Sequence, residues 1–209
     1  LKFFVLDDTY EKHFCDILLN HNISANEKRY ENLVPNDCEL RCGAKYTLLR
    51  EEFLKEKKKL KRKKIKSKSK TVFIAMGGAD HSNINIDILK TIKKVNRVSK
   101  NIIKVNIVTT TANKNIKELK KYCENKNWIN LHINSNKIAK LMRKSDFAIV
   151  TPSVTINEVY YLGLPMIAIK TAGNQIDMYK YLKKKKFMVM KKFDKKKLKT
   201  NLKKVLIKK

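Results

Sequence analysis

A chain of 209 residues, 43% of them hydrophobic, is long enough for one large domain or two small ones with a packed core. No apolar run approaches the ~18 residues of a membrane-spanning helix, and no charged-then-apolar leader opens the chain, so a soluble, cytoplasmic protein without a transmembrane segment is expected. The formal charge of +30 points toward nucleic acid, but most of it sits in residues 55–70, with eleven Lys or Arg against one Glu, and in residues 180–209, with fifteen Lys against one Asp.

Residues 1–54 open on "LKFFVLDD" and "CDILLN", two short apolar runs. About three strands and two helices fit there, too little to cover both faces of a parallel sheet. This part reads as the remnant of an N-terminal α/β domain whose earlier half lies upstream. Cys38 and Cys42, with His13 and Cys15 nearby, have a spacing that zinc could use. Two buried thiols on one face of a strand explain "CELRCG" more simply.

Residues 55–70 read as a Lys-rich linker. They contain no Phe, Tyr or Trp, so the stacking platform of single-strand binders is absent, and solvated surface charge is favoured over a specific nucleic-acid partner. Weak attraction to an anionic membrane surface stays open for this segment and for the tail.

From residue 71 the pattern changes. Apolar, β-branched runs at 71–76, 102–109, 128–133, 146–150 and 165–169, with a weaker one at 187–190, alternate with amphipathic stretches at 83–97, 113–126, 135–144, 153–162, 174–186 and 194–207. Strands apolar on both faces and separated by helices specify a parallel sheet covered on two sides. The expected fold class is therefore α/β, with a Rossmann-like domain over 71–193 and a basic helix over 194–209. Two α/β domains joined by a linker form a cleft, and open α/β sheets bind ligands at the carboxyl ends of their strands.

The loops at those ends carry the chemistry. After the first strand, "GGADHSN" has Gly77 and Gly78 where backbone can approach a ligand, followed by a helix whose free N–H groups suit an anion. It matches neither the P-loop nor the dinucleotide pattern, and turn glycines explain it equally well. Thr110 and Thr111, and residues 134–136, read as helix N-caps, and His132 as a packed or hydrogen-bonded core histidine. "SDFAIVTPSVTINEVYYLGLPMIAI" is the most informative stretch. Thr151, Ser153 and Thr155 crowd hydroxyls at a helix start, which suits a diphosphate, and Glu158 can accept from both ribose hydroxyls. Asn157 adds a donor and an acceptor beside it. Gly173, Asn174 and Gln175 follow the next strand. Three such loops on successive strands favour a nucleotide-diphosphate site over capping.

"GGAD", the "SDFAIV…MIAI" stretch, "AGNQ", "CDILLN" and "ELRCGAKYTLLREEF" together resemble the UDP-sugar hydrolases of pseudaminic acid biosynthesis, bacterial enzymes linked to flagellin glycosylation. The resemblance runs over nearly all of residues 1–193. It implies a GT-B-type fold, similar to two-domain glycosyltransferases, and inverting attack of water on the anomeric carbon of a UDP-linked diacetamido-trideoxy sugar, releasing UDP without cofactor or metal. It implies Gly77, Gly78, Ala79, Asp80, Ser153 and Thr155 on the diphosphate side, Glu158 on the ribose, Asn174 and Gln175 on the sugar side, and Asn157 as the polar catalytic residue near the reacting sugar. The family's base is a His in an N-terminal glycine-rich loop that His13, His21, His81 and His132 do not match. These residues are accordingly expected to bind UDP and to be inactive without the missing N-terminal half. A GT-B transferase and a basic nucleic-acid-binding module are the alternatives.

Overall fold

The computed structural model describes residues 1–60, 69–80, 83–99 and 102–207. It divides into two compact units, Leu1–Arg50 and Glu51–Lys209.

In the first unit, β1 (Phe4–Leu6), β2 (Ile17–Asn20) and β3 (Glu39–Cys42) form a parallel sheet in that order. Phe4 stands opposite Ile17, and Ile17 opposite Glu39. Its small core gathers Cys15, Leu18 and Tyr30, with Val5, Cys38, Leu40 and Cys42 packed against them. Cys38 and Cys42, expected as two buried thiols, are only half-buried, and Cys15 is the buried one. Among the described residues no group of three or more His, Cys, Asp or Glu could hold a metal ion.

The second unit begins with a helix, α1 (Glu51–Lys58), where residues from 55 onward read as linker. Phe53 is fully buried and draws the helix onto the unit, and Glu56 pairs with Arg143. Residues 61–68 of the expected linker, like His81, lie outside the described residues. The strands and helices then alternate: β4 (Ser69–Ala75), α2 (Asn85–Val98), β5 (Ile102–Thr109), α3 (Ile116–Cys123), β6 (Ile129–Ile133), α4 (Ile138–Lys144), β7 (Phe147–Val150), α5 (Thr155–Leu162), β8 (Met166–Ile169), α6 (Ile176–Lys184), β9 (Met188–Met190) and α7 (Lys195–Ile207).

All the pairings are parallel, and the sheet order is β6-β5-β4-β7-β8-β9. Strands β7 and β8 are buried at every position, as expected of strands covered on both faces. Ile88, Leu89, Ile92 and Val95 recur at helical spacing in α2, and Leu198 and Leu202 in α7. Those two stripes pack together, with Lys195 reaching Asp87 at 3.2 Å across them. Helix α5 stops at Gly163, whose φ of +69° is left-handed. Its N–H and that of Leu164 turn back onto Tyr160 O and Val159 O at 2.9 and 3.1 Å, satisfying carbonyls the helix leaves open. Among the described residues no helix is long and apolar enough to cross a membrane.

Candidate functional site

Read along the sheet, the chain winds outward through β4, β5 and β6, then returns to β4's other side and winds through β7, β8 and β9. The strand order therefore reverses between β4 and β7, and at such a switch point a crevice opens at the carboxyl ends of the strands. Neighbouring strands lie about 4.8 Å apart, so the loops after β4, β7 and β8 stand side by side; Thr151 N–H at the end of β7 donates to Ala75 O at the end of β4 at 3.3 Å. Gly77, Gly78, Ala79 and Asp80 follow β4; Ser153, Thr155, Asn157 and Glu158 follow β7; Asn174 and Gln175 follow β8.

The β4 loop is built differently from the anion cradle expected of it. Gly77 is needed for a φ of +80°, with open space where a Cβ would stand. Gly78 is needed because a Cβ there would lie 2.9 Å from Thr110 Cγ2 and 3.0 Å from Thr110 Oγ1. Its carbonyl accepts from Thr109 Oγ1 at 2.9 Å, Thr110 Oγ1 at 3.0 Å and Thr110 N–H at 3.1 Å. The close approach at Gly78 is thus to the protein's own β5 loop. Asp80, 2% exposed, accepts from Ile84 N–H at 3.3 Å and Asn85 N–H at 3.2 Å. The N–H groups expected to face a ligand at the start of α2 are taken by a carboxylate of the chain, which repels a second anion.

The β7 loop is built differently. Helix α5 has Val154 at its N-cap and no side-chain cap hydrogen bond. Ser153 and Thr155 are half-buried, and Ser153 Oγ lies 3.1 Å from Thr151 Oγ1. Glu158, in the first turn, is half-buried; Asn157 is 1% exposed.

After β8, Asn174 is exposed while Gln175 turns inward. Gln175 Oε1 accepts from Thr171 N–H at 2.8 Å and Ala172 N–H at 3.3 Å, and its Nε2 donates to Thr171 Oγ1 at 3.3 Å. Its carboxamide closes the loop that presents Asn174.

The hydroxyls at the end of β5 are not the caps expected. Thr110 holds Gly78, as above, and Thr111 exchanges bonds with Asn134, whose Oδ1 accepts from Thr111 N–H at 3.1 Å and whose Nδ2 donates to Thr111 Oγ1 at 3.3 Å. Helices α3 and α4 begin at Asn115 and Lys137 without side-chain caps. A Thr pair on the strand beside a Gly pair was the available signal for this lock. His132 Nε2 lies 3.4 Å from Asn106 Oδ1 and burial lowers its pKa, as suits a packed histidine.

One polar cluster to which the sequence reading gave no role lies in the first unit, at the end of β1. The Asp7 carboxylate, 6% exposed, accepts from Thr9 N–H at 2.7 Å, Thr9 Oγ1 at 2.8 Å, Tyr10 N–H at 3.1 Å and Glu11 N–H at 3.2 Å, with His13 Nε2 at 3.5 Å. Burial raises its pKa, but the hydrogen bonds from Thr9, Tyr30 and Glu11 outweigh this and hold it below the ordinary value. The signal was the Asp-Asp pair at a strand end.

Residues 45–205 match the family described as lipid-A-disaccharide synthetase. The chain is 38% identical over 189 residues to the UDP-2,4-diacetamido-2,4,6-trideoxy-beta-L-altropyranose hydrolase of Campylobacter jejuni, covering 90% of this chain and 65% of the hydrolase. It therefore spans just under two thirds of that relative. Among solved structures it is similar to a UDP-N-acetylglucosamine 2-epimerase of Listeria monocytogenes (TM-score 0.60, 10% identity, 93% of this chain and 52% of the other). It is also similar to MurG of Acinetobacter baumannii (TM-score 0.59, 12% identity, 91% and 57%). At such identities the likeness shows the fold, α/β with Rossmann-like parallel sheets of the GT-B glycosyltransferase type.

Proposed function

The chain belongs to the family described as lipid-A-disaccharide synthetase, and on that premise we propose that its second unit carries the nucleotide-diphosphate grip of a UDP-sugar hydrolase acting on a diacetamido-trideoxy sugar. The observation that carries this reading is the placement of three polar loops on the adjacent strands β4, β7 and β8, at the one point where the strand order reverses. The identity to the Campylobacter hydrolase supplies the substrate class.

In this reading the diphosphate lies against the uncapped start of α5, with Ser153 and Thr155 donating hydroxyls and the glycine backbone at 77 and 78 on its flank. Ala79 and Asp80 hold that flank in place. Glu158 accepts from both ribose hydroxyls, a bidentate clasp a carboxylate is shaped for. Asn174, presented by Gln175, reaches the sugar. Asn157 is the polar group nearest the reacting carbon, and being buried it acts once ligand entry uncovers its carboxamide. Water attacks the anomeric carbon with inversion and the bond to UDP breaks. Negative charge grows on the diphosphate as it leaves, where the α5 dipole and the fixed hydroxyls stabilise it without reorganising. His132 sits in β6, two strands away from the β4 loop, so the acceptor of the water's proton is not assigned to it.

The test is titration of the chain with UDP. Glu158→Ala forfeits two charge-assisted hydrogen bonds and is expected to weaken UDP at least about tenfold, with far-UV circular dichroism unchanged. Undiminished UDP binding by the folded variant overturns the assignment.

A further inference from the structure

Two thiols outside that site meet in the first unit. Cys15, just before β2, is 4% exposed, and Cys38, just before β3, is half-buried. Their Sγ atoms are 3.6 Å apart and both cysteines are free. Glu39 N–H donates to Asp16 O at 2.8 Å, so backbone pairing fixes the residue next to each thiol. The two differ in access. Cys38 lines a cavity of about 380 Å³, walled also by Tyr30, Val34 and Pro35, and Cys15 is not among its lining residues. One thiol can therefore be reached by a small oxidant, and the other waits directly behind it.

We propose that Cys15 and Cys38 form a peroxide-sensitive dithiol, in which Cys38 is oxidised first and Cys15 resolves it to a disulfide that staples the entry of β2 to the entry of β3. In the first step Cys38 sulfur attacks one oxygen of hydrogen peroxide and the O–O bond breaks. The leaving oxygen takes the thiol proton and departs as water, and Cys38 becomes a sulfenic acid. In the second step Cys15 sulfur attacks that sulfur, the S–O bond breaks, and a second water leaves with the Cys15 proton. Two thiols and one peroxide thus yield one disulfide and two waters; sulfur is oxidised and peroxide oxygen reduced. Closing 3.6 Å to the ~2.05 Å of a disulfide is within the reach of side-chain rotation. Resolution by a neighbour already in contact outruns the further oxidation that would otherwise destroy Cys38.

Burial and the neighbouring Cys15 thiol raise the Cys38 thiol above its ordinary pKa. Thiolate is accordingly scarce at neutral pH, and the pair answers sustained peroxide rather than brief exposure.

The experiment treats the full chain with hydrogen peroxide, blocks remaining thiols, digests without reduction and maps linkages by mass spectrometry. The expected product is a linked pair of peptides carrying Cys15 and Cys38, lighter by two hydrogens and reversed by dithiothreitol. In Cys15→Ser, Cys38 is expected to run on to sulfinic acid instead. The wild-type chain alone decides the matter should a variant fail to fold. Accumulation of sulfinic acid at Cys38 without a link, or an equal yield of a link between Cys38 and Cys42, overturns the proposal.

Discussion

A methyl group at position 78 has nowhere to go. Its two closest neighbours are on Thr110, 2.9 and 3.0 Å away, and that short side chain is tethered because its hydroxyl donates to Gly78 O. Gly78→Ala is therefore expected to lower the unfolding free energy of the second unit by about 1–3 kcal/mol, as overpacking does. Adding Thr110→Ala removes the clash, so the double variant should lose less than the two single losses combined; strict additivity in urea unfolding would show that the loops do not touch as described. Asp7 gives a second residue-scale expectation. Its pKa is lowered on folding, so the stability it contributes is present above the unfolded value, about 4, and is lost as pH falls through the lower folded one. Asp7→Asn should weaken the first unit at neutral pH and flatten its stability profile below about pH 4. A variant that keeps the wild-type acid limb would exclude Asp7 as its source.

Elements were legible in the sequence to the extent that burial dictates their composition. The continuous apolar runs of β7 and β8 admit no other reading, because strands covered on both faces need no polar alternation. Helix starts slipped by three residues, at 116 rather than 113 and at 138 rather than 135, because the polar residues before them close local turns or bond to a neighbouring loop instead of capping. Thr111 with Asn134 is the clearest case. Those contacts join residues far apart in the chain, and no local pattern announces them. Helix α1 was hidden for another reason. Its lysines matched the charge run that follows, and the run concealed Phe53 and Glu56, the residues that turn inward. Lys57 Nζ also donates to Tyr161 O at 2.7 Å, holding α1 to the last turn of α5. Phe53→Ala should consequently cost about 3–5 kcal/mol, the usual range for emptying a buried aromatic site. A loss below about 1 kcal/mol, within the range of surface substitutions, would mean that α1 is an appendage to the second unit and not part of its core. Of the candidate site, the β7 loop was legible because hydroxyls and a carboxylate crowd one helix start. The self-capping by Asp80 was not, since an Asp near a helix start reads alike whether it serves a ligand or the helix.

At the scale of the whole molecule the question is what a formal charge of +30 does to binding. Lysines exposed along α6 and α7 create a positive field that attracts any polyanion, and at low salt such attraction imitates recognition. The two cases separate by their dependence on ionic strength. A strand that neutralises several phosphates releases as many counterions, so its affinity falls by orders of magnitude as salt rises from about 50 to 200 mM. UDP has few charges, and in the proposed grip they meet hydroxyls and a helix start while the ribose meets Glu158, contacts that salt screens far less than a diffuse field. Over that range UDP affinity is expected to fall less than about tenfold, while binding of a single-stranded oligonucleotide collapses. Glu158→Ala should abolish the first behaviour and leave the second intact, because removing one carboxylate from so basic a surface slightly strengthens its hold on polyanions. Isothermal titration at both salt concentrations, on wild type and variant, reads all of these outcomes. A UDP affinity that tracks the oligonucleotide's salt slope and survives Glu158→Ala would reduce the three loops to ordinary turns on a cationic surface.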